Sequence, residues 1–146
     1  MAVRSHPRGE KKPGARHLIE HDWFVQEIAF GQKLLGLDDW DLSVVTVPKL
    51  RDDEGNCEPH EGHLTCVMTF RQDPIIGEAM YNVYHELGHL LFVRWKLACN
   101  AVLDEDVPSS ITKQSEAAIE KGMEDAIERF AHTIVRLLPD RKEPNG

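Results

Sequence analysis

The stretch that most constrains this chain is His85-Glu86-Leu87-Gly88-His89. It lies inside a run from Pro74 to Lys96 whose apolar spacing predicts a helix. On a helix, residues i and i+4 stand one above the other on the same face, so both imidazoles can reach one metal ion with the glutamate beside them. Met80, Tyr84, Leu87 and Leu91 form a separate apolar row that should face the core. The histidines sit about 100° from that row, at the border where a cleft would open. Asp73 is placed to cap the helix, with Pro74 at its first position. Tyr81 lies one turn before His85, and Gly88 leaves room for a neighbouring backbone or a substrate.

The chemistry explains the spacing. Two neutral histidines can hold Zn²⁺ and leave places for a third ligand and a water. The metal lowers the pKa of that water toward ~7, and the glutamate takes its proton, as in zinc-dependent peptide hydrolysis. Five letters are a short motif, however, and a helix with two half-buried histidines would read the same, so the rest of the chain has to agree.

With 146 residues the chain is long enough to bury a core as one domain, expected over residues 15–139. No apolar run reaches the length of a membrane span, and the N-terminus lacks the apolar stretch of a signal peptide. Cys57, Cys66 and Cys99 are odd in number and widely spaced. This argues against a disulfide framework and for a reducing, cytoplasmic setting. The net charge of −8 is uneven. Arg4, Arg8, Lys11, Lys12 and Arg16 face Glu10 alone in the first 17 residues, so the remainder is strongly acidic. An acidic body argues against nucleic acid as a partner. Residues 1–14 read as a flexible basic arm broken by Pro7, Gly9, Pro13 and Gly14, and residues 140–146 as a disordered tail.

Taken in order, a first helix is expected from Ala15 to Leu35. Leu18, Val25, Ile28 and Leu35 share its face, Phe24 and Gly31 lie beside it, and Gly36 supplies the C-terminal cap. Leu42 to Val47 is compact and β-branched, hence a strand ended by Pro48. Residues 49–62 are polar and read as a loop or hairpin connection. Residues 63–70 alternate, with Leu64, Cys66, Met68 and Phe70 on one face. This strand is expected to border the cleft, where a substrate backbone could add along its edge. Cys57, His60, His63 and Cys66 are zinc-compatible, but the alternation puts His63 and Cys66 on opposite faces, against a second metal site. Residues 98–110 read as an acidic connection. A last helix starts at Ser109 or Ser115 and ends at Leu138 before Pro139, with an apolar stripe of Ile119, Met123, Ala126, Ile127, Phe130, Ile134, Leu137 and Leu138.

A catalytic zinc site needs a third protein ligand. The long metzincin pattern is absent, since Phe92 and Trp95 stand where its glycine and third histidine would be. On the last helix Glu120, Glu124, Glu128 and His132 form a row beside the apolar stripe. Such rows are most often solvated faces, and their spacing alone does not single out a ligand.

The segment Glu124-Asp125-Ala126-Ile127-Glu128-Arg129-Phe130-Ala131, followed by Leu137-Leu138-Pro139, resembles the glutamate helix of small gluzincin peptidases of the ImmA/IrrE type and of similar phage-type metallopeptidases. That resemblance implies an α+β, zincin-like (minigluzincin) domain. It would have an N-terminal helix, a short antiparallel or mixed sheet, and the H-E-x-x-H helix packed on a C-terminal glutamate helix. It makes Glu124 the third ligand of one Zn²⁺ beside His85 and His89. It gives Glu128 the place of the residue that orients a ligand histidine, with Ile127 standing where the family has a small alanine. Glu86 is then the general base of a metallopeptidase acting on a peptide or protein substrate, and Tyr81 and His132 are candidates to stabilise the oxyanion. The alternative is a zinc-stabilised, non-catalytic regulatory or protein-binding module of peptidase ancestry.

Overall fold

The computed structural model describes residues 14–50, 54–60, 62–103 and 108–144. The elements are α1 (His21–Leu34), β1 (Asp41–Val47), β2 (Gly55–His60), β3 (Thr65–Arg71), α2 (Ala79–Leu103) and α3 (Ser109–Leu137). The architecture is α+β, as expected, with the strands in the order β1-β3-β2. β1 runs parallel to β3 and β2 antiparallel to it, so the sheet is mixed.

Alternation in β3 decides which face of the sheet is buried. Cys66, Met68 and Phe70 are fully enclosed, while Thr65, Val67 and Thr69 are only half-buried. The helices cover the enclosed face. Phe24 of α1 stacks on Phe70 with ring centroids 5.0 Å apart. Met80, Val83, Tyr84, Leu87 and Leu90 of α2 are buried in the same cluster. Leu91, expected in this row, is exposed, because the 3.6-residue period carries the stripe through Leu90 instead.

Both helix starts differ from expectation for a shared reason. α1 begins at His21 rather than Ala15, and α2 at Ala79 rather than Pro74. Residues 15–19 instead run extended against residues 72–76. Ile19 N–H donates to Gln72 O (2.8 Å), His17 N–H to Pro74 O (3.2 Å) and Ile76 N–H to Ala15 O (2.9 Å). Backbone groups satisfied across this pair are not available for a helical turn. Asp73 therefore caps nothing and pairs with Arg71. The extended path also turns Ile19 inward and Leu18 outward, and α1 buries Phe24, Glu27, Ile28 and Gly31 rather than a face containing Leu18 and Val25.

Gly36 fulfils its predicted part at φ 67°. Its N–H reaches Lys33 O and the next N–H, on Leu37, reaches Gln32 O, the paired bonds of a Schellman cap. Residues 55–60, read as part of a loop, are β2. β3 starts at Thr65 because Leu64 turns through φ 51° and His63 belongs to the preceding turn. α2 runs on to Leu103, through the first part of the expected connection. α3 has the earlier of its two expected starts. It buries Met123, Ile127 and Ala131, while Ala126 and Leu137 of the expected stripe are exposed.

The C-terminal segment is not a disordered tail over residues 140–144. Arg141 makes a forked pair with Glu27 and lies 3.6 Å above the Phe30 ring, and Glu143 is buried against His17. Residues 1–13 of the basic arm and residues 145–146 lie outside the described residues. No helix among the described residues is long and apolar enough to cross a membrane.

Candidate metal centre

His85 and His89 project from successive turns of α2, and their Nε2 atoms are 3.2 Å apart. Glu124, from α3, places Oε1 3.3 Å from His89 Nε2 and Oε2 3.8 Å from His85 Nε2. Around a tetrahedral ion with bonds of about 2.0–2.1 Å, neighbouring donors stand about 3.3 Å apart. Two imidazole nitrogens and a carboxylate at these separations fit a single metal ion, and they leave the fourth direction to a small ligand. Among the described residues this is the group of His, Cys, Asp and Glu side chains whose donor atoms converge in that way.

Close packing of α2 on α3 brings Glu124 there, and Gly88 permits it. A Cβ at Gly88 would stand 3.1 Å from both Ile127 Cγ2 and Phe130 Cδ1. The space beside Gly88 is therefore filled by side chains of α3. Ile127 lies almost one turn beyond Glu124, so the contact that seats Ile127 also aims Glu124 at the histidines.

Tyr81 lies behind His85, on the side away from Glu124 and His89. Its hydroxyl is 3.2 Å from His85 Nδ1, and its ring is tilted against His132 with centroids 4.5 Å apart. Were Nε2 to hold a metal ion, Nδ1 would carry the proton and donate to the Tyr81 oxygen, which would set the tautomer and the ring orientation. His132 packs on Tyr81. Glu128 is exposed one turn beyond Glu124. Burial raises the pKa of Tyr81, and the charges of Glu128 and Glu124 add to that rise.

No family model, curated protein or solved structure matches this chain.

Glu86 is 6% exposed, against 51% for the Glu124 side chain. Its carboxylate lies over β2. A Cβ at Gly55 would come within 3.0 Å of Glu86 Cγ and 3.1 Å of Oε1, so glycine is what lets the strand approach. Gly55, Asn56 and Cys57 then form one wall of a cleft of about 370 Å³, with His85, Glu86, His89 and Glu124 opposite. A smaller cavity of about 190 Å³ continues past His89 between Cys57, Pro59, Val93, Met123 and Ile127. Lys96 and Glu120 are ion-paired at its rim, and the ammonium holds the Glu120 carboxyl below its usual range.

The strand that borders the cleft is thus β2, not the 63–70 strand expected there. β3 is central, with β1 on one edge and β2 on the other, and has no edge to offer. β2 is the outer strand. Arg71 N–H donates to Glu54 O, which sets the phase of the antiparallel ladder. Every second residue then turns its backbone groups away from β3: Gly55, Cys57 and Pro59. Pro59, which has no N–H, sits where the ladder needs none. Sequence reasoning missed Gly55, Asn56 and Cys57. The one available signal was Pro59 two residues after Cys57, a spacing compatible with an edge strand.

Cys57, His60, His63 and Cys66 do not converge. His60 and His63 are exposed, while the two cysteines meet on the inner face with Sγ atoms 3.3 Å apart.

Proposed function

We propose that the protein is a zinc-dependent peptidase acting on extended peptide or protein segments. The observation that carries this reading is the convergence of donor atoms from His85, His89 and Glu124 at 3.2–3.8 Å, beside an enclosed Glu86 and along an edge strand. Two imidazoles and one carboxylate are a donor set suited to Zn²⁺. At that position Zn²⁺ would supply Lewis acidity, polarising a carbonyl and bringing the pKa of a water down to about 7.

The chain's own residues do the rest. Glu86 takes a proton from the attacking water on its carboxylate and passes it to the departing amine nitrogen. Tyr81 keeps His85 in the tautomer that presents Nε2. Backbone groups of Gly55, Cys57 and Pro59 that face away from β3 can pair with an extended substrate and hold its scissile bond along the cleft. The free cysteines support a reducing compartment.

The test separates metal binding from turnover. Glu86→Gln should retain a full metal complement and lose hydrolysis of a generic protein substrate by at least about a hundredfold. His85→Ala should lose the metal itself. Hydrolysis by Glu86→Gln at the wild-type rate would defeat the assignment of the base. Metal held with no turnover on any protein substrate would favour a zinc-stabilised binding module instead.

A further inference from the structure

We propose that Cys57 and Cys66 are an oxidisable dithiol, which hydroperoxides close to an intrachain disulfide that ties the cleft-lining strand to the strand behind it. The two residues lie on neighbouring strands of one hairpin, with Cys57 opposite Met68 and Cys66 opposite Pro59. Their side chains share the inner face, and the sulfurs are 3.3 Å apart. A disulfide bond is about 2.05 Å, so closure asks for roughly 1.3 Å of movement. β2 can supply it, because among the described residues only one of its edges is paired in the sheet.

Access favours the same chemistry. Cys66 is buried, but Cys57 lines both the cleft and the cavity that continues from it. The two thiols share an S–H···S contact. It lowers the pKa of Cys66, whose thiolate the Cys57 thiol supports, and raises that of Cys57. Transfer of the proton to Cys66 gives the less populated form, in which the thiolate stands on Cys57, the sulfur that lines the cleft. That thiolate attacks the peroxide, the O–O bond breaks, and Cys57 becomes a sulfenic acid as an alcohol (or water, from hydrogen peroxide) departs. The Cys66 sulfur then displaces water from it and the S–S bond forms. Two thiols lose two protons and two electrons, and one peroxide is reduced. No metal and no hydrolysis are needed. A reversible bond of this kind is the form disulfides take in reducing compartments.

The purified full chain can be treated with hydrogen peroxide, alkylated without reduction, and cleaved between the cysteines after Glu61. Both cysteines should lose alkylation together, and the two fragments should stay joined, lighter by two hydrogens. Dithiothreitol should reverse both effects, and Cys99, which has no thiol neighbour, should remain alkylatable. In the oxidised chain, amide exchange should slow over residues 55–60. Cysteines 57 and 66 that stay alkylatable, separate oxidation of Cys57 to a sulfinic acid, or linkage through Cys99 would each overturn the dithiol. Unchanged exchange in a chain that has formed the bond would overturn the tie between the strands. In Cys66→Ser, Cys57 should stop at a sulfenic acid that dimedone traps, whereas the wild-type map decides the matter by itself.

Discussion

Tyr84 shows how much one side chain in this core depends on its partners. It is fully buried, and its hydroxyl donates to Glu27 Oε1 at 3.0 Å. Burial pushes its pKa up, and the charge of Glu27 and the bond to it push it further. The native state therefore keeps this proton at pH values where an unfolded tyrosine, with a pKa near ~10, gives it up. The resulting stability is full below that pH and is lost as pH rises through the folded value. Tyr81 and Tyr84 are the chain's two tyrosines, so Tyr81→Phe leaves Tyr84 as the single reporter. In that variant tyrosinate absorbance should stay low past pH ~10 and appear together with alkaline unfolding. A tyrosinate signal at the ordinary pH in a chain that is still folded would show that Glu27 and burial do not protect the hydroxyl.

Between elements, glycine sets how closely the helices meet. A Cβ at Gly31 of α1 would stand 2.5 Å from Leu87 Cδ1 and 3.1 Å from Tyr84 Cε1, two fully buried side chains. Helix propensity favours alanine over glycine by about 0.5–1 kcal/mol, but overpacking a closed core costs about 1–3 kcal/mol. Gly31→Ala should therefore lose roughly 1–2 kcal/mol in a denaturant titration, and a gain in stability would mean that the two helices can separate cheaply. These close approaches were not legible in the sequence, where a glycine shows only that a side chain is missing. What could be read was local. The periodicity of α2, α3 and β3 and the cap at Gly36 follow from neighbours in the chain. β2 could not be read this way, because Gly55, Asn56 and Pro59 are poor strand formers that become a strand only by pairing with β3. The starts of α1 and α2 were misplaced because residues 15–19 pair with residues 72–76, a contact between distant segments. The centre divides along the same line. His85, Glu86 and His89 follow from spacing within one helix. Glu120, Glu124 and Glu128 are equivalent in spacing, and packing separates them: Glu120 meets Lys96, Glu124 meets the histidines, and Glu128 lies exposed beyond them.

At the level of the whole molecule, Arg141 and Glu143 strap the segment after α3 to α1 and to the extended segment before it. Glu27 is 3% exposed, and its carboxylate is met by the Tyr84 hydroxyl and by the forked guanidinium of Arg141. Two residues on, Glu143 accepts from His17 at 2.5 Å, fastening the extended segment that precedes α1. A chain ending at Pro139 would keep every helix and strand named above but leave the Glu27 charge enclosed with one neutral side-chain donor among the described residues, Tyr84. Breaking a buried pair costs about 3–5 kcal/mol, and the partly exposed Arg141 brings this toward the lower end. For a domain of this size that is a fall in Tm on the order of 10 °C. Glu27→Gln in the shortened chain should recover part of the loss, because the enclosed charge is then gone. The side-chain partners of Arg141 and Glu143 described above are Glu27, Phe30 and His17, all outside the cleft lining, so on the proposed zinc binding the shortened chain should gain thermal stability from added Zn²⁺ as the full chain does, by about 2.7 kcal/mol at a hundred times the dissociation constant. A shortened chain that melts like the full one would show the strap to be ornamental. One that melts lower and no longer responds to Zn²⁺ would show that α1 and the metal centre share a single cooperative unit through Tyr84 and Leu87, the α2 side chains packed against Gly31.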